Sequence, residues 1–343
     1  MADTVGVTMQ ETPAPGLLCG FHVAASGESQ PLSDIAIVGA AADGWRWLHI
    51  NLADQRARGW LASLPGLARL DLDFLLSTDD IQQLVATDDS IRGLIFDTIY
   101  TFDGRSEDFG FLRFIMTDRL LVTGRRQAMQ AVEMVRRQIE GGRRFATPAE
   151  LVKAIVEEIA YAIDGIVENL AGEIDSIEDA ILKDRVDDER KRLGRARLMT
   201  VSIHRRLNGL RSLFRRIAVD QSAAMAHRLH KDAGHFVQRF DEIDHDVVEL
   251  RDRARLLQDE ITLKLAEQTN RNLHILSIVT TLLLPPTLLT GLFGMNVEGL
   301  PFTGSPAGFW WVAGLALVVV AAAAWVLGIL GMFGLPRRGG RRH

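Results

Sequence analysis

Two stretches without a formal charge constrain this chain more than any other feature: residues 272–297 and 299–336, separated only by Glu298. A membrane-spanning helix needs about 20 consecutive apolar residues at a rise of about 1.5 Å per residue. Residues 273–294 and 308–335 each meet that length. A buried helix of a water-soluble protein has a similar composition, but two such runs back to back fit a bilayer hairpin better. Phe309, Trp310 and Trp311 stand at one end of the second run, where an interfacial aromatic belt belongs.

Flanking charges orient the hairpin. Arg271 precedes the first run, Arg337, Arg338, Arg341 and Arg342 follow the second, and the loop 295–307 has no Lys or Arg. The positive-inside rule then puts both termini in the cytoplasm and the loop outside. Setting aside Glu298 and those four arginines, the 39 basic and 44 acidic residues leave a net charge of −8 over residues 1–272. That sign is opposite to a nucleic-acid binder's, so no nucleic-acid partner is expected. A single cysteine, Cys19, excludes a disulfide framework and a Cys-based zinc finger. With no basic residue before Arg46, neither a secretory signal nor a mitochondrial presequence is expected.

The remainder reads as α+β. Residues 1–145 form a cytoplasmic α/β domain, with strands predicted at 17–24, 46–51, 91–102, 109–116 and 120–123, and helices near 55–64, 79–86 and 128–141. Thr147-Pro148-Ala149-Glu150 then combines an N-cap, a proline at the first helical position and a capping-box glutamate. No proline follows Pro148 until Pro285, so residues 146–272 read as long helices and a coiled-coil-like stalk, with breaks near 183–187 and 218–223. Phe236, Phe240, Ile243, Val247, Leu250, Ala254, Leu257 and Ile261 follow alternating spacings of four and three, a heptad seam. The stripe runs on through Leu265 and Gln268 into the first apolar run, which predicts one helix over 223–293. A helix of that length needs neighbours, and two spans cannot enclose a pore, so a homo-oligomer is expected.

The first run ends on Gly294-Met295-Asn296. Together with Thr269-Asn270-Arg271-Asn272-Leu273 before it and Pro285-Pro286-Thr287-Leu288-Leu289-Thr290-Gly291-Leu292-Phe293 within it, this resembles the CorA superfamily of divalent-cation transporters. The resemblance spans the whole chain. It implies a multi-pass protein of the bacterial inner (plasma) membrane and a homopentamer. Span 273–294 would line a central pore, loop 295–307 would carry an Asn296 ring at the outer mouth, span 308–335 would lie outside it, and 336–343 would be a basic tail. Residues 269–271 and 289–294 are most similar to the ZntB zinc-transporting branch, whereas Glu298 is similar to the magnesium branch. Zinc is the expected cargo, and a magnesium (cobalt/nickel) channel the alternative. No tightly bound cofactor is implied.

The residues suit that role. A ring of neutral Asn296 amides can hydrogen-bond a hydrated divalent ion without trapping it. Asn296 is equally a good helix C-cap. Helical spacing back from Gly291 selects Thr287, Leu284, Thr280, Leu276 or Ser277, Leu273 and Asn270, a face of hydroxyls and leucines without charge; an ordinary packing face between spans has the same composition. Glu298 gives the outer loop its one charge, either a focusing ring or a solvated residue. Asp241, Glu242, Asp244, Asp246 and Glu249 draw cations inward or are a solvated helix face. His227, His230, Asp232 and His235 are a candidate cytoplasmic metal cluster, with surface histidines as the alternative. Pro285-Pro286 is expected to loosen the first span. No phosphate loop, nucleophile elbow or catalytic acid pair occurs, so no enzyme activity is expected. The competing class is a membrane-anchored signalling or scaffold protein.

Overall fold

The central strands are buried on both faces and so carry near-continuous apolar runs, while the edge strands are partly exposed. In a computed structural model, residues 14–32, 43–100, 108–185, 188–220, 223–295, 301 and 307–329 are described. Seven strands, β1 (Leu17–Val23), β2 (Ser29–Pro31), β3 (Trp45–Asn51), β4 (Gln83–Ala86), β5 (Ile91–Thr98), β6 (Phe109–Met116) and β7 (Leu120–Arg125), form one mixed sheet in the order β2-β1-β3-β7-β6-β5-β4. β3 and β7 pair in parallel, Trp47 opposite Leu121, and every other pairing is antiparallel. Leu48 and Ile50 of β3, with Ile115, Leu120 and Val122, pack on Ala57 and Leu61 of α1 (Ala57–Leu61) and on Leu75 of α2 (Arg69–Leu76). The other face carries α3 (Gln130–Glu140) and the start of α4 (Pro148–Leu182).

Two local expectations are corrected. Residues 79–86 are not a helix: Gln83–Ala86 is the edge strand β4, Gln83 opposite Leu94, with Leu84 buried and Val85 exposed as a one-sided strand requires. Helix α2 opens without a sequence signal, its N-cap Ala68 offering no side-chain hydrogen bond. Burial decides for the helix, since Asp71 is buried against Arg92 at 3.4 Å and Ser90 Oγ at 3.3 Å. The predicted strand 91–102 stops at Thr98, and its last two residues lie outside the described ones.

The helical part follows the sequence signals closely. Thr147 Oγ1 accepts the Glu150 N–H at 3.3 Å, and Glu150 Oε2 accepts the Ala146 N–H at 2.8 Å, opening α4. α4 closes with Asp184 left-handed (φ 57°), the Arg185 N–H reaching the Ala180 carbonyl and the Asp184 N–H that of Ile181, a Schellman ending. α5 (Glu189–Val219) and α6 (Ala226–Phe293) follow, and Phe236 through Ile261 of the heptad seam are all buried. Lys153 pairs with Asp232, Asp164 with Arg239, and Asp175 and Glu178 with Arg253. These partners lie 75 to 79 residues apart, so α4 and α6 run parallel. The Phe214 ring of α5 lies tilted against those of Phe236 and Phe240, with centroids 5.0 and 6.0 Å away.

The chain divides into two compact units, Met1–Leu257 and Gln258–His343. In the second, the remainder of α6 and α7 (Gly308–Ile329) both have the length and hydropathy of membrane spans.

Candidate functional site

The second unit presents its apolar surface outward. On α6, Ile278, Leu282, Pro285, Pro286, Leu289 and Phe293 are half-buried, whereas Leu273, Leu276, Leu284 and Leu288 are 57–61% exposed. At 3.6 residues per turn the half-buried seam lies opposite the stripe Leu273, Thr280, Leu284, Thr287 and Gly291. On α7 a matching half-buried seam runs through Val312, Ala316, Val319, Ala323 and the buried Leu327. Small residues there permit close helix approach.

Four of the expected pore residues, Thr280, Leu284, Thr287 and Gly291, line one open groove of about 710 Å³ on α6, ending at Met295. Val279, Leu283, Leu288 and Leu292 flank it, because a groove is wider than the single row of positions that helical spacing selects. Asn270 and Leu273 share the helix side but do not line that groove. The hydroxyls of Thr280 and Thr287 donate to the carbonyls of Leu276 and Leu283 at 2.8 and 2.7 Å. Their own protons are thus spent within the helix, and what the groove offers is oxygen acceptors. Pro285 and Pro286 sit inside α6 and withdraw the donors that the Thr281 and Leu282 carbonyls would otherwise receive. Gly294 N–H still reaches the Thr290 carbonyl at 2.9 Å, and the helix ends there. Asn296 and Glu298 lie outside the described residues.

The expected cytoplasmic metal cluster is corrected. Among the described residues no group of three or more His, Cys, Asp or Glu side chains can hold a metal ion. His227 and His230 meet edge to face at 6.2 Å, His235 leans on Phe236, and Asp232 is taken by Lys153 at 2.7 Å. Two residues turn a helix by about 200°, so Asp232 points away from His230. Of the acidic residues on the inner part of α6, Asp241 and Asp244 are paired with Arg211 and Glu242 with Arg239. Asp241 and Asp244 thereby tie α6 to α5 through Arg211, whereas the Glu242 pair lies within α6 itself.

Two exposed apolar helices have the length and hydropathy to cross a bilayer, and on one of them a charge-free groove of hydroxyls and leucines is the chemically distinctive face. The family model described as "CorA-like Mg2+ transporter protein" matches residues 42–338, and the chain belongs to this family, whose members are transporters and not enzymes. It is 24% identical over 317 residues to the divalent cation transporter CmaX of Pseudomonas aeruginosa, covering 90% of this chain and 94% of that one. It is also 24% identical over 289 residues to the zinc transport protein ZntB of Yersinia enterocolitica, covering 82% and 86%. Among solved structures, full-length CmaX superposes with a TM-score of 0.76 at 23% identity, covering 93% of this chain and 99% of that one. The CorA magnesium transporter of Methanocaldococcus jannaschii gives 0.66 at 18%, covering 94% and 98%.

Proposed function

We propose that the protein carries a divalent cation, zinc in the first instance, across the bacterial inner membrane. The pore is formed by five copies, with the α6 groove turned to its axis and Asn296 at the outer mouth. Family membership supports divalent-cation transport, and relatives named for zinc support the choice of ion. The observation that carries the reading is the groove itself: acceptor oxygens of Thr280 and Thr287 alternating with leucines, without a charge, beside a helix face that is already half-buried.

That lining favours a hydrated ion. Water bound to a cation points its hydrogens outward, toward acceptors, and threonine oxygens whose protons are committed elsewhere are acceptors. Stripping the shell in a site of low dielectric with no carboxylate, thiolate or imidazole to replace it would cost far more than hydroxyls return. Among the residues of the spans only His274, at the inner end, is a stronger ligand.

Purified protein in liposomes, assayed for uptake of zinc against magnesium, tests the reading. Zinc uptake is expected to exceed magnesium uptake, and Asn296→Ala is expected to abolish it while the assembled particle keeps its size. Uptake of neither ion would sink the transport reading. Normal flux through assembled Asn296→Ala would remove the asparagine ring.

A further inference from the structure

The first unit holds a cavity of about 710 Å³ at the end of the sheet where β3 begins. Trp45, the β6–β7 turn with Asp118 and Arg119, the opening of α4 at Glu150, and the first turns of α6 with Lys231 and Asp232 form its wall. No step of the proposed transport uses it.

Charge and hydrogen-bond accounting in that wall is one-sided. Each carboxylate is already engaged: Asp118 with Arg228 at 3.0 Å, Asp232 with Lys153 at 2.7 Å, and Glu150 with the Ala146 N–H at 2.8 Å. The cations Arg119 and Lys231 have no carboxylate partner among the described residues. Trp45 is 2% exposed, and its indole Nε1–H, which can only donate, has no acceptor among them either. A buried donor left unpaired is costly, and native structures rarely tolerate one without a water or ligand to receive it. Internal pairing thus leaves donors and positive charge over. Met116, Pro148, Ala149 and Met225 supply apolar wall beside them. The volume falls in the range of small-molecule sites, about 300–1,000 Å³.

We propose that this cavity binds a small organic anion, a phosphate group carried on an apolar or aromatic body of nucleotide size. Arg119 and Lys231 hold the phosphate, which joins the β6–β7 turn to the first turns of α6. The body rests on the methionine and proline wall. Asp118, Glu150 and Asp232 line the cavity beside Arg119, Arg228 and Lys231, and the donors left without acceptors select an anion as occupant, which separates this site from the cargo.

Calorimetry on the full-length protein in detergent with EDTA tests this, using AMP, inorganic phosphate and adenosine as probes. AMP is expected to bind saturably, inorganic phosphate more weakly, and adenosine not measurably. Arg119→Gln with Lys231→Gln is expected to weaken AMP by at least about tenfold through the lost charge-assisted bonds, and both residues are exposed, so the fold should be kept. Trp45→Phe serves as a second variant and should weaken AMP without abolishing it. Phosphate binding as tightly as AMP would overturn the organic body and leave an inorganic phosphate site. Absence of binding by AMP and phosphate at millimolar concentration, equal binding of adenosine, or unchanged affinity in the double variant would overturn the site altogether.

Discussion

Thr123 holds two buried aromatic side chains with one hydroxyl: its Oγ1 accepts the Trp47 Nε1–H at 2.8 Å and lies 2.8 Å from His49 Nδ1. Replacing it by valine keeps the shape and strands both partners. At about 1–3 kcal/mol for each buried unsatisfied group, Thr123→Val is expected to cost about 2–6 kcal/mol, read as a lower denaturation midpoint. Burial holds the His49 imidazole neutral, its pKa pushed down to about 3. Burial pushes the Asp97 carboxyl up to about 7, against the N–H groups of Ala131 and Thr98 that it accepts at 3.0 and 2.7 Å. The two act in opposite directions. A depressed histidine contributes stability that is full above its ordinary pKa of 6.5 and lost as pH falls toward about 3. A raised carboxyl contributes stability that is full below 3.8 and lost as pH rises through about 7. Asp97→Asn removes the second contribution alone. Between about pH 4 and pH 7 its melting temperature should therefore rise relative to the parent protein as pH increases; a constant difference across that range would show that Asp97 is not the group responsible.

At the scale of elements, α6 is held in the first unit by a seam and by ion pairs of very different weight. Phe240 is fully buried against Phe214, and Phe240→Ala is expected to cost about 3–5 kcal/mol. Arg253 reaches Asp175 at 2.6 Å and Glu178 at 2.9 Å, but all three side chains are at least a third exposed. Arg253→Ala is expected to cost less than about 1 kcal/mol. Denaturant melts of the two variants compare them directly, and similar losses would mean that the pairs, not the seam, hold the helices. Only the seam was legible in the sequence, because its spacing is local to one helix. The partners of Lys153, Asp164 and Arg253 stand 75 or more residues away, and nothing in either segment names the other. The helix wrongly expected over 79–86 has the same origin: β4 exists because β5 offers it an edge.

For the whole molecule, the exposed leucines of α6 set the requirement. A single copy leaves a hydroxyl-and-leucine groove open on a helix whose other side is half-buried. Lipid satisfies leucine but gives threonine oxygens no donor. The proposed arrangement of copies around a water-filled axis would satisfy both. Five copies of a 38.0 kDa chain make a particle of about 190 kDa before detergent or lipid is counted. Native mass spectrometry is expected to find that mass, and a transport-competent particle of two or four chains would overturn the fivefold arrangement.

What the sequence determined by itself was whatever is written in a run of neighbouring residues. The two charge-free stretches, the capping box at Thr147, the heptad seam and the breaks on either side of α5 all needed only local periodicity and end signals. The stripe of Thr280, Leu284, Thr287 and Gly291 was legible for the same reason, since one helix fixes its own faces. The tertiary structure alone decided the strand order, the Asp97 cap on α3, the pairing of the α6 carboxylates and the cavity beside Trp45. It also separated Asp232 from His230, which proximity in sequence had joined. Each of those depends on which distant side chain arrives to share a proton, a charge or a buried surface, and a chain carries no local record of that choice.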